Sequence, residues 1–329
     1  MLGGSLLYLL GLVLLATAQG PVGVVLGAGL AIGASMACTG SAMAMAVAVR
    51  RVSPALRSSV LGMVSAAGSL GALLAAPIGQ ALSQAHGWRW GLVGFIALAL
   101  LMVPAAWVAG RVDAYPVPAG GAANQLKARD ALATAFRNPV FVVMALAYFV
   151  CGMQLVFLTT HLPSYLDICG MDPMLSAQAL GMIGGANVLG SLFFGWAGGR
   201  ANKLMLLGGI YILRSLTLAW FFSAAPTPAG TLVFAGVMGF LWLGVAPLVS
   251  GWVADTFGLR WQAMLGGVAF VSHQLGSFVG AFGGGMIYDQ LGSYNLAWKL
   301  GVGLGLAAGI VQVAFAHGRV PKPPLAAAG

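Results

Sequence analysis

The chain contains no glutamate, and its six acidic residues are all aspartates lying at or near expected turns. Charged residues make up only 6% of the 329 residues, against about 25% in a soluble domain. So few charges cannot cover a soluble surface, so lipid has to be the solvent for most of the chain. Acid–base chemistry inside the apolar segments is excluded for want of paired carboxylates. The sequence also lacks Gly-x-Ser-x-Gly, His-Glu-x-x-His and a phosphate-binding Gly-Lys-Ser/Thr, so an enzyme is not expected. The three cysteines, Cys38, Cys151 and Cys169, show no metal-ligand spacing, and no cofactor is implied. They read as packing residues, with Cys169 near a loop the most reactive.

What is abundant is apolar: 60% hydrophobic residues and 50 glycines, a combination suited to membrane helices packed through small side chains. A span needs about 20 mostly apolar residues. Ten such runs can be read, at 2–18, 22–49, 60–83, 90–109, 140–162, 175–198, 204–224, 231–253, 264–287 and 296–316. Turn signals separate them, among them Gln19-Gly20-Pro21, Asp172-Pro173 and Pro226-Thr227-Pro228. The first run ends in Ala16-Thr17-Ala18, like a signal-peptide cleavage site. No Lys or Arg precedes its apolar core, so it reads as a retained span.

The expected architecture is an all-α membrane bundle of ten spans, four plus six. Residues 1–110 form the first bundle, 111–138 a cytoplasmic linker with a short surface helix, 139–317 the second bundle and 318–329 a tail. In a soluble protein the net charge of +9 would suggest nucleic-acid binding; here its distribution points to membrane anchoring, with no nucleic-acid partner expected. With both termini cytoplasmic, Arg50, Arg51, Arg57, Arg111, Lys127, Arg129, Arg137, Arg200, Lys203, Arg260, Arg319 and Lys322 all fall inside. Only Arg89 and Lys299 fall outside, and Arg214 lies within a span.

Two spans repeat. Leu61-Gly62-Met63-Val64 parallels Leu265-Gly266-Gly267-Val268, Leu70-Gly71 parallels Leu275-Gly276, and Gly87 and Gly292 open the hairpins that follow. This is the pattern of parallel transporter repeats. The loop Arg50-Arg51-Val52-Ser53-Pro54-Ala55-Leu56-Arg57 and the Gly/Pro-rich Gly68-Ser69-Leu70-Gly71 to Ala76-Pro77-Ile78-Gly79 resemble the fourth-to-fifth-span region of the major facilitator superfamily. Gly195-Trp196-Ala197-Gly198-Gly199-Arg200-Ala201-Asn202-Lys203 is similar to that family's Gly-x-x-x-Asp-Arg-x-Gly-Arg loop, with Gly199 in place of the Asp. The strings Gln154 with His161-Leu162-Pro163-Ser164-Tyr165-Leu166, His273-Gln274-Leu275-Gly276, and Tyr288-Asp289 before Gly292-Ser293-Tyr294 look like bacterial monocarboxylate-transporter-like members.

The resemblance implies a monomeric secondary transporter in the bacterial inner membrane, working by alternating access on an organic anion, with protons as a coupling partner. Proton-driven efflux of drug-like compounds and a non-transporting membrane protein are the alternatives. The family usually has twelve spans and this chain begins where a third would. Either the gene is longer than the recorded start, or the chain is a short form.

An ionisable residue in the bilayer centre costs about 3 kcal/mol or more, so each is a site candidate. Arg214 lies eleven residues beyond Lys203, roughly 16 Å deep at 1.5 Å per residue. Its guanidinium suits a carboxylate, or a structural bond to a neighbouring span. Gln154 and His161 are seven apart and share a helix face. With Asn187, His273 and Gln274 they are candidates for the pathway or for interhelical bonding, and His273 for proton coupling. Arg200, Asp255 and Arg260 are candidates for a cytoplasmic gate, with a solvated pair as the alternative for Asp255 and Arg260.

Overall fold

The computed structural model describes residues 1–114 and 127–317. The stretch 115–126 of the expected linker and the tail 318–329, with Arg319 and Lys322, lie outside the described residues. The regular elements among those described are all helices. They are α1 (Leu2–Ala16), α2 (Pro21–Val24), a π-helical segment (Val25–Ile32), α3 (Gly33–Thr39), α4 (Ser41–Val49), α5 (Pro54–His86), α6 (Trp88–Leu100), α7 (Met102–Gly110), α8 (Ala128–Arg137), α9 (Pro139–Ile168), α10 (Pro173–Gly198), α11 (Lys203–Phe221), α12 (Pro228–Phe240), α13 (Val245–Phe257), α14 (Leu259–Leu291) and α15 (Asn295–His317), with a 3-10 turn at Arg111–Ala114.

Nine of the described helical stretches are long and apolar enough to cross a bilayer, and α1, at 15 residues, is a shorter apolar helix. The expected run 231–253 is one passage, Pro228–Phe257, but it is broken into α12 and α13. A continuous apolar composition conceals such a break, because hydropathy averages over the interruption.

Local chemistry sets the helix starts. Asn138, Asp172, Asn202 and Thr227 each accept amide hydrogens of the first turn. Proline stands at the start of α5, α9, α10 and α12, where its missing N–H costs nothing. α5 and α14 are both 33 residues long and both end on a positive-φ glycine, Gly87 (φ 92°) and Gly292 (φ 65°). That is what the repeat in the sequence leads one to expect. The surface helix α8 is amphipathic and buries Ala131 and Ala135.

Two helix crossings hold the assembly. Along α9 and α14, Gly152 lies against the His273 backbone, Gly276 against Phe149 and Gly280 against Met153. Between the bundles, α5 and α10 cross where Gly62 meets Gly195. Lipid gives helices no hydrophobic reason to associate, so backbone-close contact supplies the dispersion that does. The large apolar clusters sit in the second bundle, around Phe141, Tyr211 and Phe257 at one end and Phe157, Phe234 and Trp298 at the other. A small third cluster of Met45, Val49 and Leu61 packs against Ala246 and Leu259 and joins the first bundle to the second.

A side chain at Gly276 would enter the Phe149 carbonyl. Gly276→Val is expected to lower stability by about 1–3 kcal/mol, read as a lower melting temperature in detergent. Gly267→Ala on the same helix, which meets nothing within 4 Å, should leave it unchanged.

Candidate functional site

The break between α12 and α13 falls at Leu241-Trp242-Leu243-Gly244, halfway along its passage, and so near mid-membrane depth. Backbone groups freed there have no water to bond and need protein partners. Asn187 of α10 provides one: the Leu243 amide donates to its Oδ1 at 2.9 Å. The Asn187 amide nitrogen donates in turn to Ser69 Oγ of α5 at 2.9 Å. Ser69 Oγ donates to the Ser65 carbonyl at 2.9 Å, and Ser65 Oγ meets Ser191 Oγ of α10 at 3.1 Å. All four side chains are buried. Asn187, expected to bond either a solute or a helix, thus ties both bundles to the broken helix.

One helix layer away, Ser41 and Met45 of α4, Tyr148 of α9, Val249 and Ser250 of α13, and Gly266 and Phe270 of α14 enclose a small cavity of about 20 Å³. His273 packs against two of the rings that line it. Its ring stacks on Phe270 at 5.2 Å and meets Tyr148 edge-on at 4.7 Å. Its Nδ1 lies 3.2 Å from Gln274 Oε1 and 3.4 Å from Ser277 Oγ. His273 is buried and Gln274 is exposed on the same helix. The adjacent pair therefore splits, as its 100° angular separation requires. Gln262 donates to Ser250 Oγ at 2.9 Å, leaving its own Oε1 without a partner.

The other expected residues turn into the second bundle. Arg214 is fully buried. Its Nη1 donates to Cys151 Sγ at 3.3 Å, its guanidinium stands 6.0 Å from the Tyr211 ring, and its Nε has no partner. A thiol is a weak acceptor, so a full positive charge sits here with little compensation. Gln154, one turn along α9 from Cys151, donates to Ser215 Oγ at 3.3 Å and to the Gly301 carbonyl at 2.8 Å. Tyr148 and Cys151 also lie one turn apart, Tyr148 facing His273 and Cys151 facing Arg214, so α9 connects the buried cation to the cavity edge.

His161 bonds at both ring nitrogens, Nε2 to the Ala281 carbonyl at 2.9 Å and Nδ1 to Tyr294 Oη at 3.2 Å. A carbonyl only accepts, so in the neutral ring Nε2 carries the proton and Nδ1 accepts from the Tyr294 hydroxyl. Burial, followed by the nearby Tyr288, raises the Tyr294 phenol above its ordinary pKa and keeps that proton in place.

At the end carrying the basic loops, Asp255 pairs with Lys203, Nζ to Oδ2 at 2.7 Å. With the Asp255 side chain 55% exposed, this is a solvated pair that contributes little to stability. Arg200 is exposed and lies 4.5 Å over Trp196, and Arg260 lies 5.0 Å over Trp261. The three expected gate residues thus sit at one end, but Lys203, which sequence reasoning left out of the gate, supplies the partner of Asp255.

Sequence reasoning also missed Tyr148, Cys151, Ser65, Ser69, Ser191 and Ser250. A signal existed for some: Ser65 with Ser69 and Asn187 with Ser191 are each spaced by four, which puts each pair on one helix face. Asn187→Leu leaves the Leu243 amide without a partner and removes the donor to Ser69 Oγ, and should cost about 1–3 kcal/mol in thermal unfolding. Ser69→Ala, which keeps the Asn187–Leu243 bond, should cost less.

Comparison with known proteins bears on the family and the fold. The chain is 25% identical over 266 residues to the sialic acid transporter NanX of Escherichia coli, an alignment covering 79% of this chain and 61% of the relative. It therefore spans about three-fifths of that relative's length. Among solved structures, the Escherichia coli fucose:proton symporter FucP superposes with a TM-score of 0.74 at 17% identity, over 96% of this chain and 83% of that one. The proton:xylose symporter XylE does so at 0.66 and 12% identity, over 95% and 78%. The family profile described as Major Facilitator Superfamily matches residues 1–281, and the chain belongs to that family of multi-pass membrane proteins.

Proposed function

We propose that the protein is a secondary transporter of a small organic anion such as a monocarboxylate, coupled to protons and working by alternating access. The observation that carries the reading is Arg214, a fully buried guanidinium whose hydrogen-bond partner among the described residues is a thiol. A cation left so poorly compensated in a low-dielectric region favours an anion within reach of its field. The similarity to a named sialic acid transporter supports an acidic solute.

The proposed pathway runs between the bundles, past Tyr148, Ser250, His273 and Gln274, with the α12–α13 break as its floor. Discontinuous helices at the repeat interface are where such proteins commonly hold substrate. Arg214 and Gln154 act from behind α9, Arg214 by its charge and Gln154 by fixing α9 against α11 and α15. His161 fixes the far end of α9 through Tyr294 and Ala281. Asn187 holds the break. Rocking of the bundles opens and closes the basic end, where Gly62 meets Gly195 and where Arg200, Lys203, Asp255 and Arg260 lie. The excess of basic residues in these loops supports a cytoplasmic position for that end and for both termini, in a protein that acts as a monomer in a bacterial inner membrane.

The test is uptake by proteoliposomes under an inward proton gradient, with lactate, sialic acid and fucose as solutes. Acid uptake is expected, falling at least tenfold in Arg214→Met and partly restored in Arg214→Lys. Preference for fucose over both acids, or unchanged acid uptake in Arg214→Met, would overturn the anion reading. His273→Gln should abolish gradient-driven uptake yet retain counterflow exchange of preloaded solute. Equal loss of both would remove His273 from proton coupling.

A further inference from the structure

The end carrying the basic loops contains a second polar cavity, of about 120 Å³, between the two bundles. Its walls are the start of α5, with Pro54, Ala55, Arg57 and Ser58, the α10–α11 loop at Gly199 and Lys203, and α13 at Asp255. Three features of this cavity can each donate to an anion. Ser58 is only 5% exposed and its Oγ has no hydrogen-bond partner, although it lines the cavity. Arg57 Nε is likewise shielded from solvent without a partner. The α5 N-terminus opens here, and its N-cap Ser53 makes no side-chain cap bond, so the positive end of a 33-residue helix is uncapped.

The charges lining the cavity do not balance. Asp255 is its one carboxylate among the described lining residues, and that group is engaged by Lys203 at 2.7 Å. The Arg57 charge has no counterpart there. Gly199 faces the same space: a Cβ built on it would meet nothing nearer than Ser58 Cβ and the Trp196 carbonyl, both at 3.5 Å. Its backbone is right-handed, φ −81° and ψ −13°, so any side chain is permitted.

We propose that this cavity is an anion site that takes one phosphate group. The group is either free inorganic phosphate or the headgroup of an anionic phospholipid. The Arg57 guanidinium and the α5 first turn face the phosphate oxygens, Ser58 Oγ donates to one of them, and Lys203 adds its charge while remaining paired with Asp255. At about 30 Å³ per water in the liquid, the cavity has room for one tetrahedral oxyanion. Arg57 and Ser58 belong to the first bundle, whereas Lys203 and Asp255 belong to the second. A phosphate here therefore staples the bundles together at the basic end. If the chain transports as proposed above, that staple favours the state closed at this end, but the binding itself does not depend on the transport reading.

The site is tested by thermal unfolding of the purified full chain in phosphatidylcholine nanodiscs, titrated with sodium phosphate against sodium chloride at equal ionic strength. Phosphatidylglycerol nanodiscs form a parallel arm. A saturable rise in melting temperature is expected, since a ligand that binds only the folded state stabilises it. A rise with free phosphate identifies the soluble ion, and a rise with phosphatidylglycerol alone identifies the lipid headgroup. The half-saturating concentration should increase at least tenfold in Arg57→Gln and to a smaller extent in Ser58→Ala. Gly199→Asp supplies a tethered carboxylate, so it should raise the melting temperature without ligand and abolish the response. No saturable rise in either arm, or an equal rise in wild type, Ser58→Ala and Gly199→Asp, would overturn the proposal. The Gly199→Asp and Ser58→Ala comparisons decide it even if Arg57→Gln does not fold.

Discussion

The Leu243 amide, donating to Asn187 inside the bilayer, shows the constraint on which the rest of the structure depends. Hydrocarbon offers no hydrogen bonds, so every backbone group that leaves a helix there must be bonded by the protein. Interrupting α12–α13 gives the chain an irregular backbone at mid-depth, where a solute could be recognised. That interruption exists only because α10 approaches closely enough to place Asn187 beside it. Close approach in turn requires glycine: Gly190 and Gly239, on α10 and α12, each lie against the other helix's backbone, at Phe240 and Ile183. The small side chains and the polar break are thus one device.

The same constraint governs the charged and titratable groups. Arg214, His161 and Gln154 all bond across helices, and each bond fixes α9 to a neighbour. Arg214 differs from the other two. Its partner is a thiol rather than a carbonyl or carboxylate, which leaves positive potential beside the cavity edge. Both bundles end in an excess of positive charge at the basic loops as well, where Arg57 faces Lys203 and a single aspartate across a cavity. A chain without glutamate has few internal anions with which to balance such sites, so anions from outside become the natural complement.

Several parts of this arrangement could be read along the chain. The presence of long apolar helices follows from run length, and the likeness of α5 and α14 follows from the Gly-rich repeat, though both helices run to 33 residues, beyond the apolar runs at 60–83 and 264–287. Asn187, His273 and Gln274 were legible as candidates because polar groups are rare in such runs. The splitting of the last two, one buried and one exposed, was implied by their adjacency. Partners were not legible. Cys151 read as packing and holds Arg214, and Lys203 read as a loop anchor and holds Asp255. A bond between α9 and α11 spans 63 residues of sequence, and no local period encodes it.

The sequence by itself determined the solvent, the helical class, the sorting of basic loops and the spacing of small residues, because each depends on local composition or on a helical period. Tertiary structure alone decided which way each polar side chain turned. Helix rotation is set by the glycine crossings between neighbours, and a rotation of one residue position, 100°, exchanges a cavity-facing group for a packed one. That is why Arg214 is enclosed within the second bundle and Gln154 faces a cavity there beside Phe157, whereas Tyr148 lines the cavity between the two.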